Sequence, residues 1–188
     1  MDFLNDFNFP EDETNIGKRH FEIKYDLSTD EYKIKNLSGS GLYIKIENKI
    51  LLRNNSIFSF SNIIFNCYID ISNDNNISSS TITLKIIHGI NEKKEYVFNS
   101  NSKKIIKIGR LNHPEIDIDI NDESTSRIQS TIFYEKNNWY IIDGDGKKFS
   151  LNGTWYFAEE YITITEGMIF RAGTTSFKSH LISSSSSN

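Results

Sequence analysis

Four places in the sequence combine side chains able to hold an anion. Arg110 follows Gly109 at the end of an Ile-rich run, which would let its guanidinium leave a rigid strand end. Ser126 and Arg127 close the polar stretch 121–125, just before another apolar run. Asn152-Gly153 brings an amide beside a flexible backbone, and Lys147-Lys148 lies a few residues ahead of it. A guanidinium fork, a hydroxyl, an amide and ammonium groups suit an oxyanion with several acceptor oxygens, such as a phosphoryl group. Lys103, Lys104 and Lys107 add positive charge just before Arg110, in a chain whose net charge is -4. Such clustering in an acidic protein implies a local anion site and argues against a general nucleic-acid binder.

Other chemistry fares worse. The acidic series Asp117, Asp119, Asp122 and Glu123 invites a metal, but Ile-Asp alternation over 116–120 turns the strand carboxylates outward as a solvated face. Asp143-Gly144-Asp145-Gly146 lacks the later bidentate Glu and the flanking helices of a calcium loop. Gly146-Lys147-Lys148 lacks the spacing of a phosphate-binding P-loop. His20, His88, His113 and His180 share no ligand spacing, and the single Cys67 sits in an apolar run as a small core residue. No nucleophile, base and orienting group come together. The expectation is a protein without metal, cofactor or catalytic residues.

The elements that must position these groups are strands. Short runs of Ile, Phe, Tyr and Thr alternate with polar residues and are separated by Asn, Asp, Ser and Gly clusters. Strands are expected at 21–25, 43–46, 63–71, 82–87, 94–98, 105–109, 116–120, 131–134, 139–142 and 161–165. No long stretch has helical periodicity. The fold class is all-β, most simply a sandwich. With 188 residues, 37% hydrophobic and 13% aromatic, the chain can bury a core. One cysteine excludes a disulfide framework. No apolar stretch approaches the roughly 20 residues of a membrane helix. The first residues lack the basic and then apolar regions of a secretion signal, so the cytoplasm or nucleus is expected.

The polar segment around 73–80 has linker composition, and 183–188 is a Ser-rich tail expected to be disordered. The two sides of that linker resemble each other. Ile16-Gly17-Lys18-Arg19-His20 aligns with Thr125-Ser126-Arg127-Ile128-Gln129, Tyr32-Lys33-Ile34 with Trp139-Tyr140-Ile141, and Tyr43 with Trp155. Ile57-Phe58-Ser59-Phe60 mirrors Ile169-Phe170-Arg171-Ala172. This is an imperfect internal repeat.

The ordered series Ile108-Gly109-Arg110, Ile116-Asp117-Ile118, Thr125-Ser126-Arg127, Trp139-Tyr140-Ile141-Ile142-Asp143, Asn152-Gly153-Thr154-Trp155 and Glu166-Gly167-Met168-Ile169-Phe170 resembles the forkhead-associated (FHA) domain over most of residues 80–182. The resemblance implies an eleven-stranded β-sandwich whose end loops bind phosphothreonine in a partner protein, in signalling or assembly. It assigns Arg110 and Ser126 to the phosphate, Arg127 to phosphate or peptide backbone, and Asn152 to the peptide main chain. Lys147 and Lys148 would assist, and Gly109, Gly153, Thr154 and Trp155 would be scaffold. Gln129 replaces the family's loop-bracing His, as an amide can. Leu151 stands where a Thr or Ser commonly supplies a phosphate donor, a loss worth about 1.5–3 kcal/mol.

Residues 1–72 resemble only the later part of that domain, with His20 at the bracing position and Gly17 in place of the phosphate-contacting Ser. They are read as a partial module, 73–80 as a linker and 81–182 as the complete domain. A fragment without its opening strands leaves unpaired backbone, so a covering partner within a larger assembly is expected. The alternative is a structural scaffold whose phosphate site is vestigial.

Overall fold

The computed structural model describes residues 5–9, 13–74, 77–110 and 114–182, so the Ser-rich tail 183–188 lies outside the described residues. The described chain is all strand and turn. In order, the strands are β1 (Phe21–Asp26), β2 (Glu31–Asn36), β3 (Leu42–Lys45), β4 (Ile50–Leu51), β5 (Ile57–Phe60), β6 (Ile63–Asp74), β7 (Ile77–His88) and β8 (Glu95–Asn99). There follow β9 (Ile105–Arg110), β10 (Ile118–Ile120), β11 (Ser130–Glu135), β12 (Asn138–Asp143), β13 (Trp155–Phe157), β14 (Ile162–Thr163), β15 (Ile169–Ala172) and β16 (Thr175–Lys178). Most form where β-branched and aromatic residues alternate with polar ones, and many stop at a Gly, Asn, Asp or Ser cluster.

The chain forms two compact units. One comprises 46–156; the other joins 1–45 to 157–188. In the unit 46–156, one sheet runs β10-β9-β11-β12-β4, and a second set of strands runs β13-β5-β6-β7-β8. They enclose a core that includes Phe58, Phe65, Ile82, Leu84, Ile106, Ile132, Trp139 and Ile141, all at most 1% exposed. The Trp139 indole N–H donates to Ser80 Oγ at 3.0 Å, so its one polar atom is satisfied. The other unit pairs β1-β2-β14 in one sheet and β16-β15-β3 in another set, around Ile34, Leu42, Ile44, Phe170 and Ala172.

This division differs from the expected boundaries at 72 and 81. The described residues of 73–80 are strand residues at the ends of β6 and β7. β6 and β7 pair antiparallel through Ser72↔Ser79, Asn73↔Ser78 and Asp74↔Ile77, in one ladder with Cys67↔Leu84. Ladder hydrogen bonds join main chains, so Ser- and Asn-rich composition does not prevent them.

The second difference concerns which strands close which unit. β12 does not pair with the later strand β14. It pairs with β4, Tyr140↔Leu51 and Ile141↔Ile50. β2 in turn pairs with β14, Lys33↔Thr163 and Ile34↔Ile162. By the sequence alignment Ile34 corresponds to Ile141, so each segment receives the other's closing strand in the same register. The neighbouring pairs agree: Phe170↔Ile44 and Arg171↔Tyr43 in one unit, Tyr156↔Phe58 and Trp155↔Ser59 in the other. The closing strands are exchanged.

Cysteine pairs distinguish the two pairings. In a Cys67→Ser background, Leu51→Cys with Tyr140→Cys is expected to oxidise to an intramolecular disulfide. Thr163→Cys with Tyr140→Cys is expected to stay reduced. Mass spectrometry of the oxidised chain reads the result, and a reversed pattern would mean that the strands close without exchange.

Candidate functional site

Three loops of the unit 46–156 meet beside the end of β9. The Arg110 N–H donates to the Ser126 carbonyl at 2.9 Å, and the Gln129 N–H to the Ile108 carbonyl at 2.8 Å. Gly109 makes this approach possible, because a Cβ there would lie 2.1 Å from the Arg127 carbonyl oxygen. The loop after β12 is tied down by the buried Asp143, whose carboxylate accepts from the Ser150 N–H, the Ser150 hydroxyl and the Thr154 hydroxyl at 2.7–2.8 Å.

Gln129 links all three loops. It is fully buried; its Oε1 accepts the Ser126 N–H at 3.1 Å, and its Nε2 donates to Ser150 Oγ at 2.7 Å and the Gly153 carbonyl at 3.1 Å. His20 makes the same three links in the other unit. The Gly17 N–H donates to its Nδ1 at 3.0 Å, Ser38 Oγ lies 3.0 Å from that nitrogen, and Nε2 donates to the Gly41 carbonyl at 2.9 Å. An amide thus substitutes for an imidazole that accepts at Nδ1 and donates at Nε2.

Between these loops lies an open groove of about 550 Å³, lined by Arg110, Ser126, Arg127 and Lys148 among others. Among the described residues, no hydrogen bond or ion pair engages either guanidinium or the Lys148 ammonium. Ser126 Oγ accepts the Leu151 N–H at 2.9 Å, which fixes the oxygen and leaves its own proton to donate. Glu123 and Asp145 also line the groove. The N–H groups of Lys148 and Lys147 donate to Asp145 Oδ1 at 2.8 and 2.9 Å, holding its carboxyl below the ordinary carboxylate range.

Not every residue singled out in the sequence lines this groove. Lys147 and Asn152 do not; Asn152 donates one amide N–H to the Ser124 carbonyl at 2.9 Å. Lys103 pairs with Asp117 at 2.6 Å and Lys107 with Glu115, so these cations serve carboxylates near their own strand. Trp155 donates to the Asn152 carbonyl at 3.1 Å, and Thr154 is fully buried. Among the described residues no three His, Cys, Asp or Glu side chains gather as a metal set. Burial pushes the Cys67 thiol up to about 12, leaving no thiolate near neutrality.

The sequence reading missed Phe149, and it weighed Leu151 only as a lost donor. Ser150 is pinned inward by Asp143 and Gln129, so its neighbours in the extended chain project outward: Phe149 is 68% exposed and Leu151 87%. The apolar-polar-apolar triplet was the available signal.

A model of the FHA domain family matches residues 106–173. Over these 68 of 188 residues the chain is similar to FHA domains. The match runs past residue 156 and so includes β14 and β15, which belong to the other unit. No curated protein and no solved structure matches the chain. FHA domains are in general non-catalytic modules that bind phosphothreonine in signalling.

Removing the Gln129 side chain would leave buried partners without hydrogen bonds. Gln129→Ala is expected to cost at least about 2 kcal/mol in urea unfolding. Gln129→His is expected to stay within about 1 kcal/mol of the parent, because His20 already makes the equivalent links. Equal losses in both variants would show that side-chain volume, and not the three-way hydrogen bonding, holds the loops.

Proposed function

We propose that the groove beside Arg110 binds phosphothreonine in a partner protein by reversible recognition, without catalysis, in signalling or assembly. The observation that carries this reading is the set of charged donors, Arg110, Arg127 and Lys148, which rim one groove around a fixed Ser126 hydroxyl without partners among the described residues. Cations without salt-bridge partners keep their N–H donors available to an incoming anion. Arg110 and Ser126 take the phosphate, and Arg127 the phosphate or the peptide backbone. The second N–H and the Oδ1 of Asn152 remain for the peptide main chain.

Phe149 and Leu151 give the same groove an apolar rim, and Glu123 and Asp145 an acidic one. The ligand therefore carries a large apolar residue near the phosphothreonine and no acidic residue at its side. The side-chain donor absent at Leu151 is exchanged for apolar contact.

Fluorescence anisotropy at fixed salt tests this, with a degenerate phosphothreonine peptide pool against phosphoserine and unmodified pools. Saturable binding of the phosphothreonine pool is expected, weakened at least tenfold in Arg110→Ala, since a hydrogen bond to a charged group is worth about 1.5–3 kcal/mol. Phe149→Ala with Leu151→Ala should remove the preference for apolar neighbours and retain phosphate dependence. Affinity should fall as pH drops through about 6, where the phosphate gains its second proton. Flat curves from a folded sample would sink the reading and favour a scaffold with a vestigial site.

A further inference from the structure

The exchanged strands give this chain an internal control. β1 and β2 correspond to β11 and β12, with Ile23↔Ile34 and Tyr25↔Tyr32 in register like Ile132↔Ile141 and Tyr134↔Trp139. Even the aromatic pairs agree: the Tyr25 and Tyr32 rings lie 5.0 Å apart at 54°, and those of Tyr134 and Trp139 also 5.0 Å apart at 54°. Their surroundings do not. Ile132 is 0% and Trp139 1% exposed, whereas Ile23 is 48%, Tyr25 44% and Tyr32 50% exposed.

Two strands cover one pair and have no counterpart over the other among the described residues. β9 pairs with the outer edge of β11, and β7 lies over Trp139, where Ser80 meets its indole. Beyond β1 the sheet has no further strand among the described residues. We infer that β1 is a docking edge for an extended segment of a partner protein, added antiparallel where β9 lies in the other unit. Carrying the β9 register across puts Ile106 opposite Ile23, Lys107 opposite Glu22 and Ile108 opposite Phe21. The segment that fits is therefore aliphatic, basic, aliphatic: its cation faces Glu22, and its apolar side chains flank Phe21 and Ile23.

A second copy of the chain is the poorer occupant. Its β9 is already held between β10 and β11. Pairing β1 with β1 would set both copies' apolar faces on one side of a merged sheet, with the three residues still bare. This inference does not rest on phosphate binding, since its residues all belong to the unit without that groove.

The probe is a fluorescein-labelled peptide with the sequence of residues 103–110, titrated into the full chain by anisotropy. Saturable binding is expected, with new amide-exchange protection confined to 21–25. Ile23→Lys, at a half-exposed position that leaves the core intact, should weaken it at least tenfold. A peptide with Glu at the position of Lys107 should bind about fivefold more weakly to the unaltered protein. Absence of binding by a folded sample, or equal binding by Ile23→Lys, would overturn the inference. So would a dimer in which the β1 amides are already protected, which would give the edge to a second copy.

Discussion

Everything in this fold depends on how the ladders are completed. β12 needs a neighbour on its outer edge and finds it in β4; β2 needs the same and finds it in β14. A strand edge left open in either unit would carry unpaired N–H and C=O groups. The supplying segments lie about a hundred residues away along the chain: the unit 46–156 closes its ladder across one contiguous stretch, whereas the other unit must join 1–45 to 157–188. The long loops that must close before these ladders form make folding slow.

Within the unit 46–156, a second constraint acts on the loops. Arg110, Ser126 and Leu151 belong to three separate connections, and loops are ordinarily the mobile part of a sandwich. Here a buried hydrogen-bonded chain from Asp143 through Ser150 and Gln129 to Gly153 and Ser126 ties them together. Buried polar networks are costly when incomplete, so each member holds the next in one geometry. The exposed cations thus stand on a prearranged frame. Ligand binding need not supply the entropy of ordering that frame.

Much of this was legible in the sequence. Alternation found the strands, because a half-buried sheet face dictates period two, and Gly109-Arg110 located a strand end whose close approach to another loop only glycine permits. The exchange was not legible. β4 to β6 and β14 to β16 carry matching residues in matching registers, so pattern alone gives β12 two equally good partners. The ladder over 73–80 was hidden for a different reason, since backbone pairing is indifferent to the polar composition that suggested a linker. At the groove, the sequence named the cations and could not tell which were already spent. Lys103 and Lys107 are committed to Asp117 and Glu115, and only their placement in space reveals it.

Leu151 shows how a departure from the family pattern can change meaning once its surroundings are known. Read as a side chain, it deletes a phosphate donor. Read as a backbone position, its N–H fixes the Ser126 hydroxyl oxygen at 2.9 Å and leaves the hydroxyl proton directed by default to an incoming acceptor. A hydroxyl at 151 would add one donor; the leucine adds, with Phe149, an apolar rim that is already rigid because Ser150 is held from beneath. Burying such a rim releases water at little conformational cost, whereas a phosphate hydrogen bond repays only the net of two desolvations. On the proposed function, the exchange of donor for apolar surface would move selectivity from the phosphate to the residues beside it.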